Sequence, residues 1–367
     1  MSQRVVSRFL IPTLVLVLAG TAGAEEMTLS GEGPLANTVT EADWLPNDCG
    51  AKSYTENWMT ALRSDRGHVL YVNFLRTNIG VFQGSAGIGV SLTLPDQQAK
   101  HLAYEYKPKD FSADKKTMTI TIGPNSIRQE GKKIFLKVKE DGFELDLELT
   151  SWTKGVKFHD GMAFWGGDKT KWIQVFIHSP RATVKGTMVL GGTKIPFVGD
   201  AYVDHLRQSI MGHKYASRWF VNRFYHKDWT VIFVGFLTPK KHGADMHQRF
   251  ILTDRDKVLV HSPDLTVVPG GMVKDPKGHN YPKQFEFQYK GDGIEVVGTA
   301  TGKTVHDRDA MLERMSGAQA GIVKMVAGNP IVYRMLGRTE AKITIEGKEP
   351  VEIKGKSYLE SVVLKDE

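Results

Sequence analysis

Short apolar runs alternate with polar positions through most of the chain, and Gly, Asp and Pro punctuate them at the spacing of β-hairpins. The pattern predicts strands over residues 70–74, 88–94, 117–122, 134–139, 143–149, 172–177 and 182–190. A second series follows over 218–226, 230–237, 248–253, 285–290, 295–301, 341–346 and 357–365. The second series echoes the first. Trp58 precedes a run ending Tyr71-Val72-Asn73-Phe74-Leu75, and Trp219 precedes one ending Phe233-Val234-Gly235-Phe236-Leu237. The offset is 161 residues at the tryptophans (58 to 219) and 162 at the leucines (75 to 237), so one inserted residue reconciles them. Lys139-Glu140-Asp141-Gly142-Phe143-Glu144-Leu145 matches Lys290-Gly291-Asp292-Gly293-Ile294-Glu295-Val296 at an offset of 151, with Asp-Gly at the turn both times. Two matches in the same order point to an all-β, mainly antiparallel protein built as two tandem β-barrels.

One segment breaks the period. Met311, Met315, Ala318, Ile322, Met325 and Val326 fall at helical spacing, so one amphipathic helix is expected in the second half, near 307–328. Asp307 or Asp309 would cap its start and Asn329-Pro330 would end it. It reads either as a helix packed on the second barrel or as a methionine-rich flap that adapts to a ligand or touches membrane.

A chain of 367 residues fits two domains of ordinary size. Arg4 and Arg8, the apolar run from Phe9 to Leu18, and Ala22-Gly23-Ala24 form a cleavable secretory leader, with cleavage expected after Ala24. The expected organisation is a leader over 1–24, a linker or strap over 25–53, an N-terminal β domain over 54–198 and a C-terminal β domain over 199–367. The single cysteine, Cys49, excludes an intramolecular disulfide, and no Asn-x-Ser/Thr sequon occurs. A periplasmic or secreted location follows. The net charge of +7 falls to +5 once Arg4 and Arg8 leave with the leader. The remaining lysines are scattered in pairs among acids, which argues against nucleic acid as a partner and for at most transient contact with a membrane surface.

Cofactor signals are weak throughout. The stretch from Gly84 to Gly89 lacks the Lys-Ser/Thr ending of a phosphate loop and reads as a bulge or turn. The twelve histidines, His242 and His247 included, show no tight metal spacing. No cofactor and no metal are expected.

The densest constellation is Gly199-Asp200-Ala201-Tyr202-Val203-Asp204-His205, followed by Arg218-Trp219-Phe220-Val221-Asn222-Arg223. Strand alternation puts Trp219, Val221, Arg223 and Tyr225 on one face. An arginine held there needs a carboxylate partner, because burying it alone is costly. Asp204 and Asp200 are nearest in sequence. Tyr202, Asp204, His205, Trp219 and Arg223 are expected to gather at the inner face between the barrels.

The order Gly-x-x-Tyr-x-Asp-His, then Trp-x-x-x-Arg, resembles the hallmark of the bacterial carotenoid 1,2-hydratase and AttH-like superfamily. That group includes the yeast survival-factor proteins associated with ceramide transfer and the fungal decalin-forming Diels–Alderases. Glu56 with Trp58 resembles the group's N-terminal Glu-x-Trp strand. The resemblance spans about Tyr54 to Leu364 and implies two lipocalin-like barrels with an apolar ligand in or between them. In the hydratases, an aspartate of this motif is proposed to protonate a prenyl double bond, which maps onto Asp204 with Tyr202 beside it. Such chemistry needs a carboxyl kept neutral by a dry site. Where a hydratase has Tyr-His-Asp-His-Asn, this chain has Tyr202-Val203-Asp204-His205-Leu206, and the polar neighbours that would activate water are lost. Asp204 is therefore read either as the structural partner of Arg223 or as a general acid. The expected function is an exported binding or transfer protein for a lipid or isoprenoid, with Glu56, Trp58, Asn73, His205, Trp219 and Arg223 as ligand-binding candidates. The alternative is an isoprenoid hydratase or lyase, or a cyclase acting by shaping its substrate.

Overall fold

The computed structural model describes residues 27–30, 34–47, 50–79, 83–165, 169–314 and 329–364. Its described strands all pair antiparallel and fall into two sheets. The first sheet opens with β1 (Met27–Ser30), β2 (Ala36–Thr38), β3 (Thr55–Ser64), β4 (Val69–Thr77), β5 (Ser85–Thr93) and β6 (Lys100–Tyr106). It continues with β7 (Phe111–Asp114), β8 (Thr119–Ile122), β9 (Asn125–Glu130), β10 (Lys133–Glu140) and β11 (Phe143–Ser151). β12 (Val156–Phe158), β13 (Met162–Trp165), β14 (Lys171–Leu190) and β15 (Thr193–Gln208) complete it. One helical turn, α1 (Gly212–Tyr215), leads to the second sheet. That sheet comprises β16 (Arg218–His226), β17 (Trp229–Leu237), β18 (Met246–Asp254), β19 (Lys257–Ser262) and β20 (Leu265–Lys274). It ends with β21 (Asn280–Gly291), β22 (Ile294–Ala310), β23 (Ile331–Ile345) and β24 (Val351–Val363).

The sequence repeat is a repeat of topology. The spatial order β6-β5-β4-β3-β15-β14-β11-β10 in the first sheet is mirrored by β19-β18-β17-β16-β24-β23-β22-β21 in the second. Trp58 sits opposite Phe74 in the β3–β4 hairpin, and Trp219 opposite Phe236 in the β16–β17 hairpin. The two Asp-Gly turns join β10 to β11 and β21 to β22. Gly142 and Gly293 hold φ of 77° and 71°, which a residue with a Cβ tolerates poorly.

Strand alternation makes each sheet two-faced. Along β3, Glu56, Trp58, Thr60, Leu62 and Ser64 are buried, while the residues between them are half-buried. The inner faces of the first sheet share one core, running from Leu70, Phe74 and Ile88 to Leu136, Leu147 and Phe197. Those of the second share another, including Phe224, Phe233, Phe285 and Met335. Each sheet thus gathers its inner side chains into a core of its own, in keeping with the antiparallel, lipocalin-like fold that the resemblance implies. Smaller clusters on the outer faces join the two. Tyr202, Ile177, Met59 and Ala61 pack with Ile232, Ile251 and Val234, and Trp165, Ile173 and Leu206 pack with Tyr215, Trp219 and Phe236.

Five expectations change. Gly199–Gln208, placed at the start of the second domain, is the second half of β15 and pairs with β3 and β14 of the first sheet. Residues 172–177 and 182–190 are one strand, β14, whose register shifts between Ile177 and Ala182. The stretch after Gly84 is regular strand paired in step with β4. Asp307 and Asp309 are not helix caps but strand residues of β22, held by pairing with Arg334 and Val332. A 3-10 turn, Met311–Arg314, follows β22, and the rest of the expected helix, residues 315–328, lies outside the described residues, as do the leader and Cys49. The supposed linker is part of the first sheet: β1 pairs with β13, β2 with β12, and a 3-10 turn at Glu41–Trp44 buries Trp44 completely.

Candidate functional site

β15 carries two sets of side chains in alternation. Val203, His205 and Arg207 face the interior of the first sheet, whereas Tyr202, Asp204 and Leu206 face the second sheet.

The inward set is a polar cluster inside the first core. Glu56 Oε1 lies 2.8 Å from His205 Nε2 and accepts from Arg207 Nε at 3.0 Å. His205 Nδ1 lies 2.7 Å from the Asp43 carbonyl, and Trp58 stacks on the imidazole at 4.4 Å. Trp58 also donates its indole N–H to the Trp44 carbonyl at 2.9 Å, and Lys157 donates to the Asp43 carboxylate at 2.7 Å. Burial holds the His205 imidazole below its ordinary value, against the opposing pull of Glu56. These bonds fasten residues 41–45 across the first sheet. Glu56, Trp58 and His205 are thus brought together inside the first core, so His205 does not lie between the sheets as expected. A strand's alternation separates His205 from Asp204, although they are adjacent in sequence.

The outward set meets a row of charges from the second sheet. Arg223 donates to Glu360, Arg334 donates to Glu360 at 3.4 Å, and Arg334 also bonds Asp307. This row runs from β16 across β24 and β23 to β22. First-sheet groups cap it. The Arg223 guanidinium lies over the Tyr202 ring at 4.3 Å and that of Arg334 over Tyr71 at 4.2 Å. Ser91 donates to Asp307 at 2.5 Å, and His101 lies 3.1 Å from Asp307 and 3.5 Å from Asp309. Burial disfavours the Glu360 carboxylate, yet the two guanidiniums outweigh it and hold the group below its usual range.

Arg223 therefore has a carboxylate partner, but it is Glu360, 137 residues away, and not Asp204 or Asp200. Asp200 instead pairs with Arg181 at 2.9 Å. Asp204 is half-buried and hydrogen-bonded by Tyr202. Burial pushes its carboxyl up to about 7, although Arg223, Tyr202 and Arg249 pull the other way. Glu360, Arg334 and Asp307 escaped the sequence reading. Only Arg334 carried a local signal, a charge set between Tyr333 and Met335 in a strand, whereas Glu360 lies between Leu359 and Ser361 and Asp307 between His306 and Arg308.

Beside the charge row the seam is half-exposed. On the first sheet, Asp204, Met59, Asn73 and Gly89 stand in one cross-strand row, and Leu206, Asn57, Leu75 and Gly87 in the next. On the second, Trp219 and Phe236 are opposite one another across β16 and β17 and stack at 5.6 Å, with Val362 next to Trp219 on β24. Leu206 packs in the same cluster as Trp219, Phe236 and Leu364. Of the expected site residues, Tyr202, Asp204, Asn73, Trp219 and Arg223 thus line this seam. It offers an apolar and aromatic wall on one side and polar groups set among small and apolar residues on the other.

Comparison with known proteins gives relatives of the kind this arrangement suggests. The ceramide-binding protein SVF1 of Candida albicans is 26% identical over 275 residues, which is 72% of this chain and 70% of that protein. A crystal structure from Nitrosomonas europaea, provisionally assigned as AttH, superposes with a TM-score of 0.62 at 14% identity, covering 92% of this chain and 99% of that one. The kievitone hydratase of Nectria haematococca superposes with a TM-score of 0.53 at 12% identity, covering 91% of this chain and 98% of that one. At those identities the structural matches speak for the fold. The model of the Svf1 family matches residues 37–365, nearly the whole of the described fold, and the chain belongs to the Svf1 family.

Proposed function

We propose that this chain binds a long-chain lipid of the ceramide class in the seam between its two sheets and carries it through an aqueous compartment after export. Each sheet acts in this reading as a lipocalin-like barrel whose interior is already occupied. The observation that carries it is where the protein's own side chains go. Trp58, Phe74, Leu136 and Leu149 fill the first core and Phe224, Phe233, Phe285 and Met335 the second, each without measurable exposure. The half-exposed Met59, Leu206, Trp219 and Phe236 of the seam remain for an apolar guest. A ceramide-binding relative supports the lipid class. The leader of residues 1–24 supports export, and sequencing the mature protein should begin at Glu25.

The test is retention and transfer. Mature protein is incubated with vesicles carrying a fluorescent ceramide, then separated from them. Protein-bound fluorescence that passes to acceptor vesicles is expected. Failure to retain ceramide, diacylglycerol or fatty acid above a control protein would refute the reading. A second reading, proton transfer to an isoprenoid double bond, draws on the carboxyl of Asp204 being raised to about 7 beside an apolar wall. Hydration of an acyclic isoprenoid that Asp204→Asn abolishes would favour it.

A further inference from the structure

Asn57 is a polar side chain facing the seam without a bond. It follows Glu56 on β3, so that Glu56 points into the first core and Asn57 points outward. Its cross-strand neighbours are Leu206 on β15 and Leu75 on β4, both apolar. Its Oδ1 is shielded from water and receives no hydrogen bond. Leaving such an acceptor unsatisfied is costly, and buried polar groups are as a rule hydrogen-bonded.

The surroundings suggest what would complete it. Met59, two residues along β3, lies opposite Asp204 on one side and Asn73 on the other, so three polar side chains ring one methionine. Beyond Asn73 the strand β5 presents Gly89 and Gly87, which leave its backbone bare. A Cβ at Gly89 would make only an ordinary contact with the Asn73 Cβ, at 3.8 Å, whereas one at Gly87 would press on the Tyr104 carbonyl at 3.0 Å, so the spare room lies at Gly89 beside Asn73. Apolar surface begins immediately beside it, since Leu206 packs into the cluster of Trp219 and Phe236. A small polar patch opening onto an apolar wall is the shape of a site for a molecule with a compact hydrogen-bonding head and long tails.

We infer that Asn57 is the head-group acceptor of this site, taking a hydrogen bond from a hydroxyl or amide N–H of the bound lipid, with Asn73 and Asp204 completing the polar patch. The inference rests on the seam being the lipid site and adds what the site selects. It binds lipids whose heads donate hydrogen bonds in preference to lipids of equal chain length whose heads only accept them. Discrimination arises because a head without a donor leaves Asn57 Oδ1 buried and unpaired in the complex.

Two fluorescent probes of matched chain length test it: a ceramide, and the same ceramide with its hydroxyls and amide nitrogen methylated. Wild-type mature protein should hold the ceramide about tenfold more tightly. Asn57→Leu removes the acceptor while keeping the branched shape, and should erase that preference by weakening ceramide alone. Asn57→Asp retains an acceptor and should restore most of it. If Asn57→Leu does not fold, Asn57→Ala removes the amide without adding bulk and is read the same way. An Asn57→Leu protein that still prefers ceramide as wild type does overturns the inference and leaves the seam reading intact. Equal loss of both probes also overturns it, because Asn57 would then shape the seam and not select the head. A wild-type protein that binds neither probe refutes the seam reading, and the inference falls with it.

Discussion

Removing the charge of Glu360 is the sharpest perturbation of the seam. The row Arg223, Glu360, Arg334 and Asp307 contains two guanidiniums and two carboxylates, and each of the four is nine-tenths buried or more. Its net charge is zero. Glu360→Gln leaves two cations facing one carboxylate with no access to water. Breaking a buried ion pair from one side costs about 3–5 kcal/mol, mostly as the penalty on the charge left behind. Since domains are stable by about 5–15 kcal/mol, this is a large fraction of the total. For units of this size it corresponds to a drop in Tm of about 6–20 °C. Glu360→Leu combined with Arg223→Met leaves Arg334 matched to Asp307, restoring neutrality, and should recover most of the loss. Urea titration at pH 7.5 measures both. The carboxylate of Glu360 is held below its unfolded value, so its contribution is fully present above about pH 4.3 and fades as pH falls through the folded value. The gap between wild type and Glu360→Gln should therefore narrow in acid. A loss below about 1 kcal/mol at pH 7.5 would place the row in the class of water-screened surface pairs, and the reasoning would be wrong. So would a double variant less stable than Glu360→Gln alone.

Asp204→Asn should stabilise the protein at pH 8. The folded carboxyl is raised to about 7, so ionisation costs stability as pH rises from the unfolded value toward 7, and the amide removes that cost. The difference in Tm from wild type should shrink toward pH 4, and a variant less stable than wild type at pH 8 would refute the assignment. Trp44→Ala should cost about 3–5 kcal/mol, because a completely buried indole leaves the first core. Limited proteolysis should then cut within residues 27–47, and an unchanged digestion pattern would mean that the strap is held by its strand pairing alone.

The fold was legible where information is local. The β3–β4 and β16–β17 hairpins announce themselves by the repeated apolar runs that follow Trp58 and Trp219, and the Asp-Gly turns by residues that accept left-handed backbone, Asp292 (φ 50°) and Gly293 (φ 71°) among them. β15 was missed because its outer face meets the other sheet over Tyr202, Asp204 and Leu206, and a strand buried on both faces loses its polar alternation. The site was legible in composition but not in pairing. Burial of Arg223 required a carboxylate, yet sequence distance says nothing about which strand lies alongside, and β24 supplies Glu360 from 137 residues away. Asn57 could not be singled out at all, because its distinguishing property, an acceptor without a donor, exists only once the chain is folded.

The alternation along β15 has a consequence for how this protein can vary. Tyr202 and Asp204 serve one compartment, and Val203, His205 and Arg207 serve another, with the sheet's own thickness between them. A point substitution reaches one compartment and leaves the other untouched, so the seam and the strap can drift independently. A deletion of one residue reverses every side chain beyond it and exchanges the two contents at once, sending Asp204 toward the first core and His205 toward the second sheet. Length in this strand is therefore fixed by two constraints together, while identity at each position answers to only one.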